Sequence, residues 1–277
     1  QKANNVLDHG HSGDALKDGL PWDYHMFAPL GVPDKQQLQP YLEVYFYKFM
    51  RIFVPDITLW KTTFFLPLVL GTLCVIPAFM IGRKIGGNIA GFITSMLIAV
   101  HQSFLARTIA GFADTDAYTI LFPLLITWVM ISAFDANTMK SKMLLTALAG
   151  LLTGIFSFAW EGWWYIFDFY LATLGIFVVY LTAMYFKESK AKHILESLRE
   201  NIYIGVNFLV SSVFFGLFIN TIYRRSFNLA YEHIIGFISS PFWFINIKAV
   251  GTLKLWPNVL TTVAELNSAS FRQIVDT

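Results

Sequence analysis

The chain has 277 residues, of which 56% are hydrophobic, 17% aromatic and only 14% charged, with a mean hydropathy of +0.55. A soluble domain carries about 25% charged residues, so this composition excludes a water-soluble globular domain and indicates an integral membrane protein. A net charge of +2, with basic residues dispersed between apolar runs, excludes an electrostatic footprint for nucleic acid, and the single cysteine, Cys74, excludes an internal disulfide or a cysteine-based zinc cage.

Residues 1–55 read as a polar extracytoplasmic loop. Turn signals at Gly10, Gly13, Gly19-Leu-Pro21 and Pro29-Leu-Gly31-Val-Pro33 precede a helical stretch around Pro40 to Phe53. Asp8, His9, His11 and Asp14 invite a metal reading, against which the solvated-loop reading is preferred. Apolar runs interrupted by charged breaks predict six spanning helices near 57–82, 88–106, 118–134, 143–159, 163–186 and 202–220. The first is the clearest: from Thr62 to Gly82 the only ionisable side chain is Cys74.

The connections alternate in character. Arg83-Lys84, Lys140 with Lys142, and Lys187, Lys190, Lys192 and Arg199 mark cytoplasmic turns by the positive-inside rule. The opposite face then receives the first 55 residues, the Asp114/Asp116 loop, the Trp160-Glu-Gly162-Trp163-Trp164 turn and residues 221–277. The three indoles suit an aromatic belt at the headgroups. The tail carries a Phe/Trp/Ile patch at 234–247, too short to span and suited to the interface. The chain opens on polar residues without a leader and stops just after Asn267-Ser-Ala-Ser270, so a fragment of a longer protein is expected.

The best clue to chemistry is Asp114-Thr-Asp116, paired carboxylates beside membrane segments. Such a pair can hold a hard divalent ion through oxygen ligands and leave positions open for phosphate oxygens. The alternative is a solvated loop or helix N-terminus, where acids suit the macrodipole. Arg107, seven residues before Asp114, pairs with a carboxylate or a phosphate on one reading and snorkels to the interface on the other. Asp168 and His101 lie inside apolar runs and read as buried hydrogen-bonding groups between helices.

Three motifs in order, Arg107-x4-Phe112-x-Asp114-Thr-Asp116, Phe158-Ala-Trp160-x-Gly162-Trp-Trp and Pro257-Asn-Val-Leu-Thr-Thr262-Val-Ala-Glu265, resemble the catalytic subunit of asparagine-linked oligosaccharyltransferase, most like its archaeal single-subunit form. The opening Leu20-Pro-Trp22-Asp23 and Ala28-Pro29-Leu-Gly31 are similar to the family's first external loop, so the resemblance covers essentially the whole chain. It implies an all-α polytopic membrane protein, a GT-C-type glycosyltransferase transmembrane domain with long external loops. Residues 1–55 would form the first loop, 56–220 the spans, and 221–277 a long mobile loop carrying Thr262-Val-Ala-Glu265. The family's first acidic motif, its later spans and its soluble C-terminal domain have no counterpart in the 277 residues, and between 187 and 221 one span stands where many relatives have room for an additional pair.

The resemblance further implies that Asp114, Asp116 and Glu265 bind a divalent ion, Mn²⁺ or Mg²⁺, with Arg107 bracing the carboxylates. The reaction would be inverting transfer of an oligosaccharide from a polyprenyl (dolichyl) phosphate or diphosphate to Asn in Asn-x-Ser/Thr, on the extracytoplasmic face of an archaeal cell membrane. Partners would be the lipid-linked oligosaccharide, the acceptor polypeptide and membrane lipid. The alternatives are another polyprenyl-phosphate-dependent enzyme such as a protein O-mannosyltransferase, against which Thr262-Val-Ala-Glu265 argues, and an ion-coupled transporter using Asp114, Asp116, Asp168 and His101.

Overall fold

The structure, a computed structural model, describes residues 1–26, 28–187 and 192–238. The chain divides into two compact units, Gln1–Ile234 and Ile235–Thr277. Of the second, only the residues through Ile238 are described, so the expected tail with Thr262-Val-Ala-Glu265 lies outside the described residues.

The first unit opens with α1 (Lys2–His9), which Gly10 ends in the left-handed conformation, φ 76°. A small antiparallel sheet follows, β1 (Ala15–Lys17), β2 (Leu20–Asp23) and β3 (Val32–Pro33), in the order β1-β2-β3. Its interior is polar. Lys2 reaches Asp34 at 2.7 Å, Asp34 accepts from Ser12 and from Gln36 Nε2, and Gln36 Oε1 accepts from the Tyr41 hydroxyl. A buried carboxylate is tolerable when paired and hydrogen-bonded in this way. Tyr41 belongs to α2 (Leu38–Phe53), and its ring meets Phe158 at 5.8 Å and Tyr223 at 4.6 Å, which seats the loop on the helices beneath.

Those helices are α3 (Leu59–Leu73), α4 (Val75–Val100), α5 (Gln102–Thr108), α6 (Asp116–Asp135), α7 (Met139–Ala159), α8 (Trp164–Lys187), α9 (Lys192–Arg224) and α10 (Phe227–Ile238), with one 3₁₀ turn at Glu161–Trp163. Among the described residues five segments are long and apolar enough to cross a bilayer: Leu59–Val100, Asp116–Asp135, Met139–Ala159, Glu161–Lys187 and Lys192–Arg224. The first, 42 residues, would stretch roughly 63 Å if straight, about twice the hydrocarbon thickness. It folds back instead. Gly86 and Gly87 leave helical geometry, Gly87 at φ 76°, a value natural to glycine alone. Across that bend a Cβ on Gly82 would meet Thr94 Oγ1 at 2.5 Å. The sequence reading counts two runs here because the bend divides one apolar segment into two antiparallel arms.

The core runs along α7. A Cβ on Gly150 would meet Ser211 Oγ at 2.0 Å, and one on Gly154 would meet the Gly216 nitrogen at 2.8 Å, so α7 and α9 approach at backbone distance. Asn220 donates to Ser157 Oγ at 3.0 Å on the same seam. Small residues with interhelical hydrogen bonds are what helix association in lipid requires, since apolar burial offers little there. Ile76, Phe92, Leu97, Ile176, Val206 and Phe214 point outward, as lipid-facing side chains do.

Candidate active site

The Asp114/Asp116 segment is fixed by what precedes it. His101 caps α5, its Nδ1 accepting from Phe104 N–H at 3.3 Å. It is exposed, which corrects the expectation of a buried interhelical group: a ring at a helix start is better used satisfying an orphan amide. A relay through His101 loses support for the same reason. Residues 109–115 then connect to α6, and Gly111 N–H donates to Phe64 O of α3 at 2.8 Å. Gly111 sits at φ 95°, and a Cβ there would strike the Phe64 ring at 2.7 Å. Glycine is required at this crossing on both counts.

Asp114 is exposed and its Oδ1 accepts from Thr115 N–H at 2.6 Å. Asp116 opens α6, where a negative charge complements the helix dipole. Arg107, at the end of α5, places Nη1 3.4 Å from Asp116 Oδ2 and lays its guanidinium 5.4 Å from the centre of the Phe112 ring. The structure thus brings Arg107 and Asp116 together. Glu265 lies outside the described residues. Asp114 Oδ2 and Asp116 Oδ1 have no hydrogen-bond donor among the described residues, and hard carboxylate oxygens left open in this way fit a divalent ion that takes further ligands from elsewhere.

Beneath this loop stands an acid that the sequence reading passed over. Glu43, on α2, is only 7% exposed. Its Oε1 accepts from Gln39 Nε2 at 3.1 Å, and the same nitrogen donates to the carbonyl of Ala113 at 3.0 Å. Burial raises the Glu43 pKa, against hydrogen bonds from Gln39 and from Thr63 of α3. The available signal was a Gln and a Glu four residues apart in a largely apolar helix.

On the other side of the first loop, Lys35 meets Glu161 at 2.9 Å, tying the loop to the turn after α7. A cavity of about 730 Å³ opens there, lined by Lys2, Asp34, Lys35, Glu161, Arg224 and apolar neighbours. In the same turn Trp163 is 1% exposed and packs on Phe167 at 5.4 Å. It is a core residue and not part of an aromatic belt. Trp160 stacks on Phe156 at 5.9 Å, and its ring lies so close over Gly162 that a Cβ there would fall 2.2 Å away.

Asp14 joins neither Asp8 nor the imidazoles of His9 and His11 that accompany it in sequence. The β1–β2 hairpin carries it to Asp23 and His25, with ligand atoms within 4.8 Å of one another. Burial opposes ionisation of Asp14, but hydrogen bonds from Tyr24 N–H, His25, Asn5 and Gln1 outweigh it and hold its pKa at about 2. Asp23 has Lys2 at 3.5 Å and accepts from the His25 and Met26 amides. These partners account for both carboxylates without a metal ion.

Residues 1–276 match the family described as "Oligosaccharyl transferase STT3, N-terminal". The dolichyl-phosphooligosaccharide-protein glycotransferase of Methanococcus voltae is 28% identical over 99% of this chain and 31% of its own length, and that of Methanocaldococcus jannaschii is 25% identical over 97% and 36%. The undecaprenyl-diphosphooligosaccharide-protein glycotransferase of Campylobacter jejuni is 27% identical over 53% of the chain. Among solved structures, the Archaeoglobus fulgidus oligosaccharyltransferase AglB, in complex with an inhibitory peptide and a dolichol-phosphate, aligns with a TM-score of 0.56 at 15% identity, over 95% of this chain and 35% of that one. A second structure of the Archaeoglobus enzyme, in complex with Zn and sulfate, aligns with a TM-score of 0.51 at 16% identity. The chain spans about a third of the length of the Methanococcus and Methanocaldococcus relatives.

Proposed function

Because the chain belongs to the STT3 oligosaccharyl transferase family, we propose that it forms the membrane-embedded part of an enzyme that moves an oligosaccharide from a polyprenyl phosphate or diphosphate to the side-chain amide of Asn in Asn-x-Ser/Thr. The observation that carries this reading is the loop between α5 and α6, where Asp114 and Asp116 keep open oxygens and Arg107 approaches Asp116 at 3.4 Å.

Asp114 and Asp116, with Glu265, would hold a divalent ion, Mg²⁺ or Mn²⁺, which when bound supplies electrostatic stabilisation of the charge growing on the leaving phosphate. Arg107 keeps the Asp116 carboxylate in place and adds positive charge at the rim. The amide nitrogen of the acceptor attacks the anomeric carbon from the face opposite the carrier. The C–N bond forms, the C–O bond to the phosphate breaks, and the amide gives up one proton. That nitrogen is a poor nucleophile because its lone pair is delocalised into the carbonyl. Glu265, accepting an N–H of the amide, orients it and takes part in removing that proton. The site would face the extracytoplasmic side, since Arg83-Lys84, Lys140 and Lys142 mark the opposite turns as cytoplasmic.

The test is formation of glycopeptide by the intact protein in membranes, given lipid-linked oligosaccharide and an Asn-x-Thr peptide. Chelation is expected to abolish product and added Mn²⁺ or Mg²⁺ to restore it, while Asp114→Ala, Asp116→Ala and Glu265→Ala stay inactive under every condition. Unchanged product in chelator, or in the Asp variants, contradicts the reading.

A further inference from the structure

We infer that Gln39 and Glu43 of α2 are positioning residues, forming a hydrogen-bonded bridge that sets the Ala113–Asp114 peptide and thereby the two carboxylates after it. The inference rests on the proposed role of Asp114 and Asp116.

A single Gln39 nitrogen spends both its hydrogens on two partners, Glu43 Oε1 at 3.1 Å and Ala113 O at 3.0 Å. On α3, the Phe64 carbonyl holds Gly111 N–H at 2.8 Å. The loop is therefore gripped at two points, residue 111 by α3 and residue 113 by α2. Glu43 is 7% exposed and has no cation among its hydrogen-bond partners in the described residues. A buried carboxylate without a cation is expensive unless it serves a network. Two residues beyond Asp116, the Tyr118 hydroxyl is buried with no hydrogen-bond partner among the described residues. A carbonyl pinned one residue before Asp114 fixes where that side chain departs from the backbone, and displacements near 1 Å at a reacting centre cost on the order of 100-fold in rate.

The chemistry separates bridge from bulk packing. Gln39→Glu keeps size but removes both donors and sets a carboxylate against Glu43. Glu43→Gln keeps an acceptor for the Gln39 N–H. In the glycopeptide assay, Gln39→Glu is expected to lower kcat about 10- to 100-fold and to raise the Mn²⁺ concentration for half-maximal rate. KM for the lipid-linked donor should stay near its starting value, and the uncharged Gln39→Leu should leave the Tm of the detergent-purified protein nearly unchanged. Gln39→Leu should follow Gln39→Glu, whereas Glu43→Gln should retain most of kcat. Wild-type kcat and Mn²⁺ requirement in Gln39→Glu, alongside an inactive Asp114→Ala, overturn the bridge and leave the function standing. Equal losses in Glu43→Gln and Gln39→Glu also overturn it, because charge and not the bridge would then be at work. Activity in Asp114→Ala itself would instead reject the reading of the loop on which the bridge depends.

Discussion

Arg107 and Asp116 show how little an exposed ion pair stabilises and how much it can still organise. Their side chains are 58% and 38% exposed and 3.4 Å apart, a geometry worth at most about 1 kcal/mol. Arg107→Ala is accordingly expected to leave the melting temperature nearly unchanged while cutting glycopeptide yield at least about tenfold, because a carboxylate freed to rotate no longer presents its open oxygen. Gly111→Ala should do the opposite in part. It forces a non-glycine residue to φ 95° against the Phe64 ring, a strain of about 1–3 kcal/mol that thermal unfolding in detergent would report. At this scale the approach of Arg107 to Asp116 was legible, because the two belong to one spaced motif. The sequence was not legible for Glu43, because a lone acid in a helix takes its meaning from Gln39 and from a loop 70 residues away. His101 and Trp163 were misplaced for a related reason: hydropathy registers what flanks a residue, not whether it caps a helix or fills a core.

Helices and their seams account for most of what holds the site in position. The approach of α7 and α9 depends on Gly150 and Gly154, which face Ser211 and Gly216. Gly154→Leu would push the helices apart, an overpacking penalty of about 1–3 kcal/mol or more, and should lower the melting temperature and shift the protein toward aggregation on size exclusion. In the middle of α10, His233 reaches Ser157 O at 3.3 Å. Burial first, and then the charge of Arg224, lower its pKa from 6.5 to about 4, with Glu161 acting in the other direction. The folded chain holds this ring neutral while the unfolded chain protonates it near 6.5. Its contribution is full above pH 6.5 and is lost as pH falls toward 4. Amide protection in residues 227–234, taken relative to the intrinsic exchange rate at each pH, should therefore fall between pH 6.5 and 4, and His233→Gln should flatten that dependence. The spans themselves were readable because 20-residue apolar runs leave few alternatives. The fold-back at Gly86 and Gly87 was foreshadowed by the charged break at Arg83-Lys84, but the continuity of α9 from Lys192 to Arg224 was not, since its first turns are polar.

Across the whole first unit the two ends of the helices differ in chemistry. At one end Lys84 pairs with Asp135 at 2.6 Å and Lys142 with Glu200 at 2.5 Å, which gathers the basic turns together. At the other, Lys35 pairs with Glu161 and Gln39 ties the first loop to Ala113. Since Cys74 is buried and alone, cysteines introduced at residues 114 and 138 should label from opposite sides of a sealed membrane, the first from outside. The central claim, that Asp114, Asp116 and Glu265 share one cation, is tested most directly by electron paramagnetic resonance of Mn²⁺ added to the intact purified protein. One bound ion is expected, with its signal lost in Asp114→Asn and Asp116→Asn and weakened in Glu265→Gln. An unaltered bound-Mn²⁺ signal in all three variants would contradict it.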